Sequence, residues 1–228
     1  MLAFAVLFTS CDEGGMCLEG EGDVETRTLD LGRFEGISVN GATRVFVKSG
    51  SPQQVEVKGQ ANVLNELETD VNDSVWEIRF DRCLRNHVTV EVYITVPELT
   101  SASVGGSGYV ELEDVFRSET FDASVSGSGD MKLKVETDHL TSRISGSGTI
   151  SAAGVARRHD LAISGSGNNN SVDLRNMETD VDISGSGEAE VNARNSLDVH
   201  ISGSGRVYHM GSPKVISDVS GSGKIISK

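Results

Sequence analysis

Along residues 101–228 apolar and polar positions alternate with period two, and one tripeptide punctuates the alternation. Gly-Ser-Gly begins at Gly106, Gly127, Gly146, Gly165, Gly185, Gly203 and Gly221, at spacings of 21, 19, 19, 20, 18 and 18 residues. Two positions before each first glycine stand Val104, Val125, Ile144, Ile163, Ile183, Ile201 and Val219, a column made only of β-branched residues. Such side chains suit a pleated, half-buried surface. Four positions before come Ala102, Ala123, Ser142, Leu161, Val181, Val199 and Ser217, and two after the second glycine come Val110, Met131, Ile150, Asn169, Ala189, Val207 and Ile225. Period two predicts strands. A repeat of this length is too short for a strand-helix-strand crossover, which takes roughly 30 residues. Each strand must therefore pair with its own next copy. The pattern predicts an all-β protein: a single-stranded, right-handed parallel β-helix with about 18–21 residues per coil.

The repeated glycines are expected either to turn a corner in a backbone conformation other residues resist, or to let walls approach closely. The serines beside them face outward. Stacked about 4.8 Å apart from coil to coil, they form a flat strip of small residues suited to packing against a second copy. Self-association is expected on this basis, with Ser147→Arg and Ser166→Arg as disrupting substitutions.

Before residue 101 the pattern loosens. Phe34 to Gly41 ends a strand at glycine, and Thr43 to Lys48, Gln54 to Lys58, Val75 to Phe80 and His87 to Pro97 alternate as longer, irregular coils with hairpin-like insertions. Asn62 to Asp73 reads as a short helix or an irregular loop. Trp76 and nearby Phe80 read as local core rather than as a sugar-stacking platform. Asn168-Asn169-Asn170 falls in an interval of 20 residues followed by intervals of 18, which predicts a bulge there.

The amino terminus differs from all of this. Met1 to Cys11 (MLAFAVLFTSC) is an apolar run ending in small residues and a cysteine, the form in which a lipoprotein signal ends. Export with acylation of Cys11 is expected, although no Lys or Arg precedes the run. Residues 12–28, acidic and glycine-rich, read as a flexible tether, and the folded domain is expected over 29–228, with irregular coils to 100 and regular coils from 101. With Cys11 carrying lipid, Cys17 and Cys83 remain as a candidate disulfide in an oxidising compartment. No later stretch approaches the roughly 18 apolar residues of a membrane span, so attachment falls to lipid.

Composition narrows the function. A net charge of -14 opposes nucleic acid and anionic headgroups, both of which need Lys or Arg clusters. Only 5% of residues are aromatic, which leaves an aliphatic core. On the outward face Asp160, Asp180 and Asp198 stack on three adjacent coils. That column is a candidate cation site, weighed against a plain solvated acidic face. His87, His139, His159, His200 and His209 show no metal spacing and no nucleophile in reach, and no cofactor is expected. A polysaccharide lyase or hydrolase would need Asp/Glu and Lys/Arg gathered in one groove, and an ice-binding protein would need Thr-x-Thr ladders; neither pattern is visible in the sequence.

Taken together, Cys17-Leu-Glu-Gly-Glu-Gly, the segment Arg27 to Gly41 (RTLDLGRFEGISVNG) and the iterated Ser-Gly-Ser-Gly resemble the auto-transporter adhesins with a head GIN domain, common as lipoproteins of Bacteroides-like bacteria. The resemblance spans residues 17 to 228 and implies a right-handed β-helix exported to the periplasm or cell surface. Asp12-Glu13, directly after Cys11, is similar to surface-export signals of such lipoproteins. What the resemblance implies is a non-enzymatic adhesive or structural module with a surface or glycan ligand that no motif identifies; the alternative is a β-helix that binds or cleaves polysaccharide.

Overall fold

A computed structural model describes residues 17–228. The chain is a parallel β-solenoid whose successive coils stack in two continuous columns of strands. In one column Gly36–Gly41, Ser101–Gly106 and the stretches ending at Gly127, Gly146, Gly165, Gly185, Gly203 and Gly221 pair in register, glycine on glycine. In the other, Arg44–Ser49, Tyr109–Leu112 and the stretches beginning at Asp130, Thr149, Asn168, Glu188, Arg206 and Lys224 do the same. The β-branched column faces inward and is buried from Val39 to Ile201, with Val39 of the first coil as a member that the tripeptide alone does not mark. Only Val219, in the last coil, is exposed.

Each glycine of the corner has its own reason to be glycine. The first has φ between +101° and +129° in all seven repeats, and Gly41 joins them at +100°. The second is buried in every repeat before the last, and its missing side chain receives the β-branched residue of the coil before: a Cβ on Gly167 would lie 2.4 Å from Ile144 Cγ2, and one on Gly187 2.6 Å from Ile163 Cγ2. Both expected roles are present, one per glycine. Elsewhere in the coil two consecutive outward residues, such as Asp138-His139 and Met177-Glu178, interrupt the inward-outward alternation and mark a further bend.

Residues 50–97 do not form further coils in chain order. After the first coil the chain leaves the stack and builds a cap on its amino-terminal end, then re-enters at Ser101, which pairs directly with Gly36. In the cap, Val75–Ile78 lies parallel on Gly36–Gly41 and is itself covered by the antiparallel Val71–Asn72. Glu91–Val96 lies parallel on Arg44–Ser49, Gln54–Gln60 runs antiparallel to it, and Val24–Leu29 antiparallel to that. Helix Ala61–Leu64, four residues at the start of the segment read as helix or loop, closes the core with Val63 and Leu64. Trp76 is fully buried, 5.8 Å from Phe34 between ring centroids, and its Nε1 donates to the Glu68 carbonyl.

The tether reading of residues 12–28 is corrected where the structure describes it. Leu18–Glu19 pairs with Leu84–Arg85, and Val24–Leu29 is the outermost strand of the cap. Glu25 and Arg27 make the segment look solvated in sequence, yet Arg27 reaches inward to Asn65 Oδ1 and the Ala61 carbonyl. The predicted bulge also moves. Asn168, Asn169 and Asn170 stay in register with Thr149, Ile150 and Ser151, and the irregularity falls after Ser171, where Ser171 and Arg175 pair with the consecutive Val191 and Asn192. Asn169 points inward and accepts a hydrogen bond from Ser171, which holds the triplet in the wall.

Candidate functional site

Three outward features of the solenoid could meet a partner. The first is the aspartate column. Strand stacking places Asp160 beside Asp180 and Asp180 beside Asp198. Repulsion along the column is met by basic residues: Arg158 donates to Asp160 at 2.7 Å and to Asp180 at 3.5 Å, His139 Nε2 lies 2.7 Å from Asp160, and His200 Nε2 lies 3.6 Å from Asp198. Burial works against ionisation of Asp160, and the hydrogen bonds from Arg158 and His139 more than reverse it, so its pKa is lowered. Asp180 goes the other way, raised first by burial and then by the charges of Asp198 and Asp160. Among the described residues no group of three or more His, Cys, Asp or Glu side chains is placed to hold a metal ion. On the column read as a candidate cation site, the Arg158 guanidinium bridges Asp160 and Asp180. The column also borders a cavity of about 210 Å³ that brings Arg158, Glu178, Asp180, Asp198 and Lys214 together. Sequence spacing hid this groove because its members come from four successive coils.

The second is an aromatic and charged face beside the cap. Tyr93 and Phe46 stack with ring centroids 5.4 Å apart, and Tyr109 continues the row 6.0 Å from Phe46. Arg44 lies over Phe46 and Tyr109, and Lys132 over Tyr109. Each tyrosine hydroxyl donates to a carboxylate two residues away, Tyr93 to Glu91 and Tyr109 to Glu111. A cavity of about 250 Å³ opens beside the ladder, lined in part by Phe46, Tyr93, Lys48 and Gln54. Two of the chain's three tyrosines are here. The readable signal was their outward parity in Arg44-Val-Phe46-Val-Lys48 and Glu91-Val-Tyr93-Ile-Thr95; what sequence could not supply was the pairing of these two segments.

The third is the serine strip. Ser126, Ser128, Ser145, Ser147, Ser164 and Ser166 are exposed. The backbone N–H groups of Ser147 and Ser166 donate to the preceding coil's glycine carbonyls, so what the strip offers outward is small side chains and hydroxyls on a saturated wall. Of the other sequence-predicted positions, Cys17 and Cys83 form a disulfide, and Cys11 lies outside the described residues. Among the described residues no helix is long and apolar enough to cross a membrane.

Stacked parallel coils with a built cap define the class: a β-solenoid domain. Residues 33–213 match the family described as "Putative auto-transporter adhesin, head GIN domain", and the chain belongs to that family. Solved structures share the fold. A "putative adhesin" from Bacteroides fragilis NCTC 9343 superposes with a TM-score of 0.87 at 22% identity, covering 92% of this chain and 100% of its own. A "Putative lipid binding protein" from Parabacteroides distasonis ATCC 8503 gives 0.79 at 21% identity over 92% of this chain and 99% of its own. A "putative adhesin" from Parabacteroides merdae ATCC 43184 gives 0.77 at 22% identity over 92% and 98%. Among curated proteins no match was found.

Proposed function

We propose that this protein is an exported lipoprotein, anchored through Cys11, that serves as a non-enzymatic adhesive or structural module of the cell envelope, with a surface or glycan ligand. The observation that carries the reading is the polarity of the solenoid. Cys17, six residues after Cys11, is fastened by its disulfide to Cys83 in the capped end. An anchor at Cys11 therefore tethers one pole, and the walls project away from it. Membership of an adhesin family supports an exported, surface-directed role. The aromatic face is the proposed ligand contact, and copies are proposed to associate. Nucleic acid is not a proposed partner, given the net charge of -14.

The test joins metabolic lipid labelling of the wild type and Cys11→Ala to protease accessibility on intact cells. Label that disappears in Cys11→Ala, with cleavable protein, is the expected result. An unlabelled wild type would contradict the anchor. A labelled, protected wild type would move the module to the periplasm and favour a scaffold.

A second reading has one observation behind it: the groove at Arg158, Glu178, Asp180, Asp198 and Lys214 is the mixed carboxylate and basic cluster that a polysaccharide-cleaving β-helix would need. Release of oligosaccharides from a glycan panel, lost in Asp180→Asn, would establish that reading in place of the first.

A further inference from the structure

We propose that the cavity beside the aromatic row is a carbohydrate site that takes one neutral, hydroxyl-rich sugar ring of a polysaccharide. The inference rests on the aromatic face as the ligand contact and names the chemistry of that ligand. Three paired strands bring two outward rows side by side. Phe46 stands next to Tyr93 and Tyr93 next to Glu56, while two residues along the strands Lys48 stands next to Thr95 and Thr95 next to Gln54. Lys48 holds Glu113 of the following coil at 3.4 Å. The cavity, about 250 Å³, is lined from both rows. It falls short of the roughly 300 Å³ at which pockets for drug-sized ligands begin, so it fits one ring of a chain and not an oligosaccharide.

The surroundings of the cavity select a neutral sugar. The wall offers a ligand side chains only: Glu91–Val96 is paired on one edge to Arg44–Ser49 and on the other to Gln54–Gln60, and Arg44–Ser49 also pairs with Tyr109–Leu112. A peptide therefore finds no free strand edge here to extend. The side chains are of the two kinds that a pyranose needs together. Phe46 and Tyr93 give an aromatic surface for the C–H groups of the ring; Phe46 is half-buried and Tyr93 40% exposed, whereas Phe34, Trp76, Phe116 and Phe121 are core. Around them the Glu56 carboxylate accepts, the Lys48 ammonium donates and the Gln54 amide does both, which matches neighbouring hydroxyls that each donate and accept. Within the described residues Gln54, Glu56 and Thr95 make no side-chain hydrogen bond or ion pair, so their capacity is uncommitted. The charge suits no polyanion: Lys48 faces both Glu56 and Glu113, in a chain of net charge -14. The arrangement is also fixed in advance. Glu91 accepts from the Tyr93 hydroxyl at 2.9 Å and from Lys58 Nζ at 3.0 Å, and Phe46 is held between Tyr93 and Tyr109, so little rotamer freedom is left to lose on binding.

Binding of the full chain to immobilised polysaccharides tests the proposal, with neutral glucan, mannan and galactan set against polygalacturonate and chondroitin sulfate. Tyr93→Ala removes the aromatic surface, Tyr93→Phe keeps it, Glu56→Gln removes the charge of the acceptor, and Asp180→Asn alters the Arg158 groove instead. Unchanged melting of each variant shows that the wall is intact. The wild type should bind at least one neutral polysaccharide, and Tyr93→Ala and Glu56→Gln should each weaken that binding about tenfold. Tyr93→Phe and Asp180→Asn should leave it within about twofold of the wild type. Neutral binding that survives both Tyr93→Ala and Glu56→Gln keeps the glycan ligand and overturns this site. Binding to the acidic polymers alone keeps a glycan ligand and overturns the neutral-sugar assignment. A wild type that binds none of these polymers overturns the glycan ligand together with this inference, while the lipid anchor stands or falls separately on the labelling of Cys11→Ala.

Discussion

The two ends of the solenoid are built from opposite solutions to one problem. A parallel stack must stop somewhere, and the coil at which it stops exposes an edge and a slice of core. At the amino-terminal end about a third of the described chain is spent on stopping it: strands change direction, a disulfide clamps the entry segment, and large side chains such as Phe34 and Trp76 fill the terminal layer. At the other end nothing comparable is present among the described residues, and the last coil leaves Val215, Ile216 and Val219 in solvent. Between the ends the interior also changes. Phe116 and Phe121 fill early coils, whereas the coil from Gly165 to Gly185 turns Asn169, Ser171, Asn176 and Thr179 inward. Stability in such a stack is a sum of coil and nearest-neighbour terms, so the comparison says where it is concentrated.

The largest effect should come from the corners that make stacking possible. A Cβ at Gly165 would lie 2.6 Å from the Gly146 carbonyl oxygen, at φ +117°. Gly165→Val combines a left-handed conformation, costing about 1–2 kcal/mol, with overpacking of a further 1–3 kcal/mol or so. A loss of about 3–4 kcal/mol by thermal or denaturant unfolding is expected. A loss below about 1 kcal/mol would mean the stack flexes around its corners.

The next effect belongs to the cap. Cys17 and Cys83 are 66 residues apart in sequence. Cys83→Ser should destabilise the protein by about 2–4 kcal/mol through the freed unfolded chain. Hydrogen exchange should rise in Leu18–Glu19 and Val24–Leu29 while the coils beyond Gly127 stay protected. Uniform loss through the stack would show that the cap and coils unfold as one unit.

The third is confined to the interior and depends on pH. His159 is fully buried, with Nε2 3.0 Å from Ser142 Oγ, and burial lowers its pKa to about 4 against an ordinary 6.5. The folded state favours the neutral ring, so its contribution is fully present above pH 6.5 and is lost as the pH falls toward 4. The change is on the order of 3 kcal/mol, and His159→Gln should flatten that part of the stability profile. An unaltered profile in the variant would assign the acid sensitivity to the carboxylates. The smallest effect is at the surface: Arg117 pairs with Glu136 at 2.7 Å with both side chains well exposed, and Arg117→Ala should cost less than about 1 kcal/mol.

The regular coils were legible in the sequence because each one repeats a local rule. A β-branched residue two positions before a glycine, and a glycine two positions after that, fix parity and corner together, and stacking then follows from copy number. The cap was not legible for the complementary reason. Val24–Leu29, Gln54–Gln60 and Val75–Ile78 occur once each and pair out of chain order, so no column exposes them, and Arg27 conceals a docked strand behind surface-like residues. The aspartate column was found by the same column logic that found the corners, but its electrostatics depended on Arg158 at a bend, where the alternation breaks and parity no longer assigns direction. His159 was similar: its inward position follows from parity counted back from Gly165, while its single partner, Ser142, comes from the coil before.

The comparison of the two ends meets its most direct test in hydrogen–deuterium exchange of the wild-type chain. Amides of Val24–Leu29 and Trp76 should be well protected, whereas those of Val215 to Val219 should exchange quickly. Slow exchange at Val215 to Val219, or fast exchange at the cap, would contradict a stack whose amino-terminal layer is closed and whose Lys214–Gly221 layer is exposed.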